Sequence, residues 1–190
     1  MAPLRGDRPS FPAELRPAAV LILLVQRPEG LSIVLTERHA GLREHAGQIS
    51  FPGGRLDGAD SSAIEAALRE AEEEIGVPRT LPEVLFCLPQ YVTASNYAVV
   101  PVVAALTSAP ELAMSTSEVA SAFDLPFGVI LDARNHQRNY VVSDGVARNY
   151  YAIPFGHRYI WGATAAMLLN LHAFVSAAQS RDATGVTTRS

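Results

Sequence analysis

The feature that most constrains the fold is a capped amphipathic helix in the middle of the chain. Ser62 followed by Glu65 is typical of a helix N-terminal capping box, and Gly76 followed by Pro78 is typical of a helix end. Between these limits an apolar stripe is spaced at helical intervals and consists of Ile64, Leu68, Ala71 and Ile75. The sequence therefore predicts one helix, from about residue 62 to residue 76, that packs one face against a core.

Three carboxylates gather on one flank of that helix. Glu70, Glu73 and Glu74 fall within a sector of about 100° when each residue advances the helix by roughly 100°. Glu70 and Glu74 lie one turn apart and would repel each other by about 0.2–0.5 kcal/mol. A solvated acidic face is one interpretation, although such a face usually interleaves lysine or arginine and this flank has neither. Hard divalent cations bind through carboxylates and substrate phosphates, so the second interpretation is a metal site.

A glycine turn precedes the acidic helix. Phe51 and Pro52 lead into Gly53 and Gly54. Two glycines permit φ > 0 and let the backbone approach a ligand, so a carbonyl here would complete a metal coordination shell. An ordinary turn between a strand and a loop is the alternative interpretation.

The remaining chain alternates strands and helices irregularly. Strands are predicted at 17–26, 32–38, 84–93, 96–106, 139–144 and 147–155, and further helices at 117–123 and 159–178. We expect an N-terminal arm at 1–16, one domain at 17–178 and a flexible C-terminal tail at 179–190. This order predicts an α/β fold with a mixed sheet covered by helices on both faces.

The composition excludes several classes of partner. The 190 residues carry a net charge of -4 and no basic run, which argues against nucleic acid. The longest apolar run, at 18–25, is too short to cross a bilayer, and the N-terminus has no apolar segment of signal-peptide length. We therefore expect a cytoplasmic protein with a small-molecule partner. The apolar faces of the last helix are interpreted as core or as the contact of a homodimer.

Two motifs resemble one enzyme family. Gly54 and the run from Arg69 to Val77 resemble the Nudix box, G-x5-E-x7-R-E-U-x-E-E-x-G-U, in which U is a bulky apolar residue. The front half is one residue longer than that pattern and lacks its isolated glutamate, and Asp60 or Ser61 stands near that place. The run from Leu35 to Gly54 resembles the L-T-x-R-[SA]-x3-R-x3-G-x3-F-P-G-G signature of the coenzyme A diphosphatase branch, which tolerates the extra residue.

The resemblance implies a Nudix-type α/β/α sandwich and metal-dependent hydrolysis of coenzyme A to 4′-phosphopantetheine and adenosine 3′,5′-bisphosphate. It implies that Glu70, Glu73 and Glu74, with the Gly54 carbonyl, hold Mg²⁺ or Mn²⁺. Gly53 is then expected beside the substrate, and Arg69 is expected to orient a glutamate of its own helix.

Further roles follow from the same resemblance. Arg38 and Arg43 are candidates for binding the 3′-phosphate or the diphosphate, and two surface arginines are the alternative. Glu118 is the candidate general base, and a charge at a helix N-terminus is its alternative. The rival functions are a diphosphatase for ADP-ribose or NADH, and a Nudix-fold module that binds a nucleotide without turnover.

Overall fold

The computed structural model describes residues 4, 14–41, 47–107, 112–115, 119–143 and 146–185. In chain order the elements are β1 (Arg16–Arg27), β2 (Gly30–Arg38), β3 (Ile49–Ser50), β4 (Gly53–Arg55), α1 (Ala63–Ile75), β5 (Glu83–Cys87), β6 (Tyr91–Val92), β7 (Tyr97–Leu106), β8 (Val119–Pro126), α2 (Phe127–Leu131), a short 3-10 helix (Ala133–Asn135), β9 (Gln137–Ser143), β10 (Val146–Phe155), β11 (Arg158–Trp161) and α3 (Gly162–Gly185).

Strand β1 lies at the centre of a mixed eight-stranded sheet. It pairs in parallel with β7 along one edge. Along the other edge its first half pairs with β4 and its second half with β2, both antiparallel. The apolar run predicted here is continuous because a central strand is buried on both faces. Strands β9, β10 and β11 form a separate antiparallel sheet.

The larger sheet separates two hydrophobic cores. Successive side chains of β1 point to opposite faces, so Leu21 and Leu23 pack on the side of α1, whereas Ile22 packs on the side of α3. The α3 side also receives Ile153 and Ile160 from the smaller sheet. The predicted mixed sheet with helices on both faces is therefore confirmed.

Helix α1 has the predicted ends, but the face that it buries is rotated relative to the predicted apolar stripe. The Ser62 side chain accepts a hydrogen bond from the Glu65 backbone N–H at 3.2 Å, and Gly76 ends the helix at φ 70°. The Glu65 carboxylate bonds the Ser61 N–H, so the predicted capping box is only half formed. The predicted apolar stripe is wrong at Ile64, which is exposed. The buried positions are Ala66, Ala67, Ala71, Glu74 and Ile75.

Three other predicted elements differ from the structure. The helix predicted at 117–123 is wrong, because residues 119–126 form β8, which pairs with β2. The segment predicted at 84–93 is split into β5 and β6. The last helix begins at Gly162, where φ is 64°, because residues 158–161 form a hairpin with β10. It continues to Gly185, into the segment predicted as a flexible tail.

Among the described residues, no helix is long and apolar enough to cross a membrane.

Candidate active site

The glycine turn lies where the chain passes from one neighbouring strand to the next. Strand β3 pairs with β2, and β4 pairs with β1. Phe51 and Pro52, the two residues between β3 and β4, therefore carry the chain from one strand of the sheet to its neighbour. The Pro52 carbonyl accepts a hydrogen bond from the Leu21 N–H at 2.8 Å. Gly53 has φ 153°, and a Cβ there would overlap the backbone of Ala19 and Val20. Glycine is therefore required at this position.

Gly54 faces the opposite side of the sheet and touches the acidic helix. A Cβ on Gly54 would lie within 2.6 Å of the carboxyl carbon of Glu70. The Glu70 carboxylate is held there by Arg69, whose Nη1 donates a hydrogen bond to Oε1 at 3.0 Å. Two residues assigned to the metal site from the sequence thus lie in direct contact.

Glu74 connects the same turn to a predicted substrate-binding residue. Its side chain is only 7% exposed and accepts a hydrogen bond from the Gly53 N–H at 3.2 Å. Arg38 Nη1 lies 4.0 Å from Glu74 Oε1. A buried carboxylate needs such partners, because desolvation of an unpaired charge is costly. The turn, Glu74 and Arg38 therefore form one connected group.

Arg69 joins the front and back halves of the motif. Its Nε and Nη2 bind the two carboxylate oxygens of Asp60 at 3.0 and 2.9 Å. Its Nη1 binds Glu70 and also Glu73 Oε2, the latter at 3.2 Å. The hydrogen bonds from Arg69 are the main reason that the pKa of Asp60 is lowered to about 2, and they raise the pKa of Arg69 itself. Arg69 thus fixes the orientation of two glutamates, and the structure adds Asp60 as the residue that anchors Arg69.

The carboxylates have the donor chemistry that Mg²⁺ and Mn²⁺ prefer. Within the described residues, however, no three His, Cys, Asp or Glu side chains are already arranged around a common metal position. Arg69 instead bridges Glu70 and Glu73. The Glu73 side chain is 56% exposed, so it has room to turn from the guanidinium to a cation. The oxygen donors fit a hard divalent ion, and binding would exchange part of the Arg69 network for it.

A cleft of about 490 Å³ opens beside the turn. Arg38, Gly53 and Gly54 line it. Trp161 also lines it and is 44% exposed, so its side chain is not part of the core. Its position follows from β11, the strand that the sequence assigned to a helix, because this strand ends at the cleft.

Sequence reasoning also missed Arg55 and Tyr97, which line the same cleft. Arg55 directly follows the two glycines, and alternation along β4 was the available signal for its face. Two further predicted site residues, Arg43 and Glu118, lie outside the described residues, so their roles stay predictions.

Comparisons with known proteins agree on one family. The family model described as NUDIX domain matches residues 15–141. The chain is 37% identical over 156 residues to proteins described as uncharacterized Nudix hydrolase NudL from Escherichia fergusonii and Escherichia coli K12, which covers 82% of this chain and 81% of each relative. A Shigella flexneri protein of the same description is 36% identical over 160 residues, covering 84% of this chain and 83% of the relative.

Solved structures show the same fold at low identity. A Nudix hydrolase from M. smegmatis, RenU, superposes with a TM-score of 0.59 and 18% identity, covering 90% of this chain and 88% of that chain. A C. elegans Ap4A hydrolase has a TM-score of 0.51 and 19% identity, covering 58% of this chain and 80% of that chain.

Proposed function

This chain belongs to the Nudix hydrolase family, and from that premise we propose that it hydrolyses the diphosphate of coenzyme A or its derivatives. The products would be 4′-phosphopantetheine and adenosine 3′,5′-bisphosphate. Nudix hydrolases act on nucleoside diphosphate derivatives and generally use divalent metal ions. The observation that carries the choice of substrate is Arg38, which belongs to the run resembling coenzyme A diphosphatases and lies in the cleft beside Glu74.

The acidic helix supplies the cation site in this proposal. Glu70, Glu73, Glu74 and the Gly54 carbonyl would hold Mg²⁺ or Mn²⁺, which neutralises a diphosphate and lowers the pKa of water. Before a cation binds, Arg69 holds Glu70 and Glu73 while the Gly53 N–H holds Glu74. The exposed Glu73 side chain would turn from Arg69 to the cation.

The cleft residues would bind the rest of the substrate. Arg38 would bind the diphosphate, since guanidinium groups match phosphate oxygens in a bidentate manner. Trp161 offers an exposed ring at the cleft on which adenine or pantetheine can pack. The cleft volume lies within the usual range for small-molecule sites. Glu118 remains our candidate for the general base.

A nucleotide-binding module without turnover is the second candidate, and Asp60 is the observation that favours it. The Nudix box has a glutamate near this place, whereas both carboxylate oxygens of Asp60 are bound by Arg69. Asp60 therefore anchors Arg69 and does not replace the missing glutamate as a free carboxylate.

The test is hydrolysis by the purified protein of coenzyme A, ADP-ribose and NADH in parallel, each with Mg²⁺ or Mn²⁺ and with a chelator as control. Products are separated by chromatography and identified by mass. Formation of the two coenzyme A products, lost on chelation, supports the proposal. Cleavage of only ADP-ribose or NADH would mean that the substrate is that nucleotide and not coenzyme A. No cleavage of any of the three would favour the binding module.

A further inference from the structure

Strand register places three polar side chains on one face of the sheet, and two of them, Arg55 and Tyr97, line the cleft. Ala18 of β1 lies beside Arg55 of β4 on one edge and Val99 of β7 on the other. Directly paired residues point to the same face of a sheet, as do residues two apart along a strand. Arg16 and Tyr97, which are paired with each other, therefore share the face of Arg55.

Tyr97 orients the exposed Arg55 side chain. The Nε of Arg55 donates a hydrogen bond to the Tyr97 hydroxyl at 2.7 Å. The Tyr97 ring also receives Arg16, whose guanidinium carbon lies 4.2 Å from the ring centroid and whose Nη2 donates to the Ser95 carbonyl at 2.8 Å. In the described part of the chain, the Nη1 and Nη2 groups of Arg55 have no hydrogen-bond partner. Arg55 thus presents an anchored guanidinium with its outer donors available.

The charge of the cleft suits an anion with more than one phosphate group. Its described lining residues include Arg38 and Arg55 and no aspartate or glutamate, although the whole chain carries a net charge of -4. Arg38 lies near Glu74 and the glycine turn, where the diphosphate would be cleaved. Arg55 is tied to Tyr97 instead, so it is available for a second phosphate group on the same ligand.

We propose that Arg55, oriented by Tyr97, binds a phosphomonoester of the substrate and makes the site prefer a nucleotide that carries one. Applied to coenzyme A, this assigns the 3′-phosphate to Arg55 and the diphosphate to Arg38, and that application rests on the proposed function. A guanidinium fixed through Nε keeps its terminal nitrogens available for two parallel bonds to one phosphate.

The first test measures binding and needs no turnover. Adenosine 3′,5′-bisphosphate and adenosine 5′-monophosphate differ by one phosphate, and calorimetry gives the affinity of each for the wild type, Arg55→Gln and Tyr97→Phe. We expect the wild type to prefer the bisphosphate by roughly tenfold or more, because a charged hydrogen bond typically contributes that much. Arg55→Gln should remove the preference without weakening the monophosphate, and Tyr97→Phe should reduce it. The matched control is Arg134→Gln, which removes an exposed arginine outside the cleft lining.

The second test compares turnover of coenzyme A and dephospho-coenzyme A. Arg55→Gln should raise KM for coenzyme A by roughly tenfold. The effect on the dephospho form should be much smaller, because that substrate lacks the 3′-phosphate. Equal losses for both substrates would overturn the proposal, since a structural role of Arg55 would affect both.

The two tests separate this proposal from the proposed function. Bisphosphate binding that depends on Arg55, without cleavage of coenzyme A, would keep the subsite and reject the diphosphatase. If coenzyme A is cleaved but Arg55→Gln prefers the bisphosphate as strongly as the wild type does, the diphosphatase is kept and the Arg55 subsite is rejected.

Discussion

We expect Gly54→Ala to lose activity and Gly53→Ala to lose stability, although the two glycines are adjacent. In Gly54→Ala the new Cβ would lie 2.6 Å from the carboxyl carbon of Glu70, whereas unstrained carbon contacts need about 3.5–4.0 Å. The Glu70 carboxylate must therefore retreat by about 1 Å. A displacement of that size in a catalytic group typically costs roughly 100-fold in rate. We expect kcat/KM to fall by roughly that factor.

Stability should hardly change in Gly54→Ala. Gly54 is not among the glycines with positive φ, and the atoms that must move belong to the end of a side chain. Alanine also restricts the unfolded chain, which adds about 0.4–1 kcal/mol to stability. Gly53→Ala is the matched contrast, because its Cβ would meet the backbone of Val20 at 2.6 Å and its φ is 153°. A strained backbone of this kind costs about 1–3 kcal/mol, and the overlap adds to that loss.

The assay combines three measurements on both variants. Urea unfolding gives the free energy of unfolding, coenzyme A hydrolysis gives kcat/KM, and calorimetry gives the affinity for Mn²⁺. Gly54→Ala should lose activity and Mn²⁺ affinity while keeping its stability, whereas Gly53→Ala should lose stability first. Full activity and Mn²⁺ affinity in Gly54→Ala would refute the assignment of Glu70 to the metal site.

Three further predictions concern charge. Glu73→Gln and Glu74→Gln should each abolish turnover while circular dichroism shows an intact fold, and full activity in both would reject the metal-site assignment. Asp60→Asn should lower the free energy of unfolding at neutral pH. In urea unfolding this difference from the wild type should shrink between about pH 4 and pH 2, because Arg69 lowers the pKa of Asp60 to about 2 in the folded state. A difference in unfolding free energy that does not depend on pH would contradict this. Burial lowers the pKa of His172 in the folded state. The wild type should therefore lose stability as the pH falls below about 6.5. His172→Gln should lose less stability over the same pH range.

Local patterns predicted the elements whose ends are set by nearby residues. Helix α1 is bounded by Ser62 and Gly76 because a cap depends on contacts within one turn. Strand β8 was predicted as a helix because its pairing with β2 joins residues far apart in the chain, as in Leu35 with Phe123. Such non-local pairing overrides the local pattern.

In the candidate active site, too, local motifs predicted some features, whereas contacts between distant parts of the chain determine others. The motif residues assigned Glu70 and Gly54 to one site, and the two lie next to each other in the structure. The bidentate pair of Asp60 and Arg69 spans the loop and the helix and has no local pattern of its own. The face occupied by Arg55 depends on the register of three strands, which only the folded sheet defines.

The measurement that tests the central claim most directly is hydrolysis of coenzyme A in ¹⁸O-labelled water with Mn²⁺, followed by mass spectrometry of both products. Attack of water on the diphosphate predicts one ¹⁸O atom in the newly formed phosphate group of one product, and no reaction once the metal is chelated. Cleavage at any other bond, or no release of 4′-phosphopantetheine with the metal present, would contradict the account.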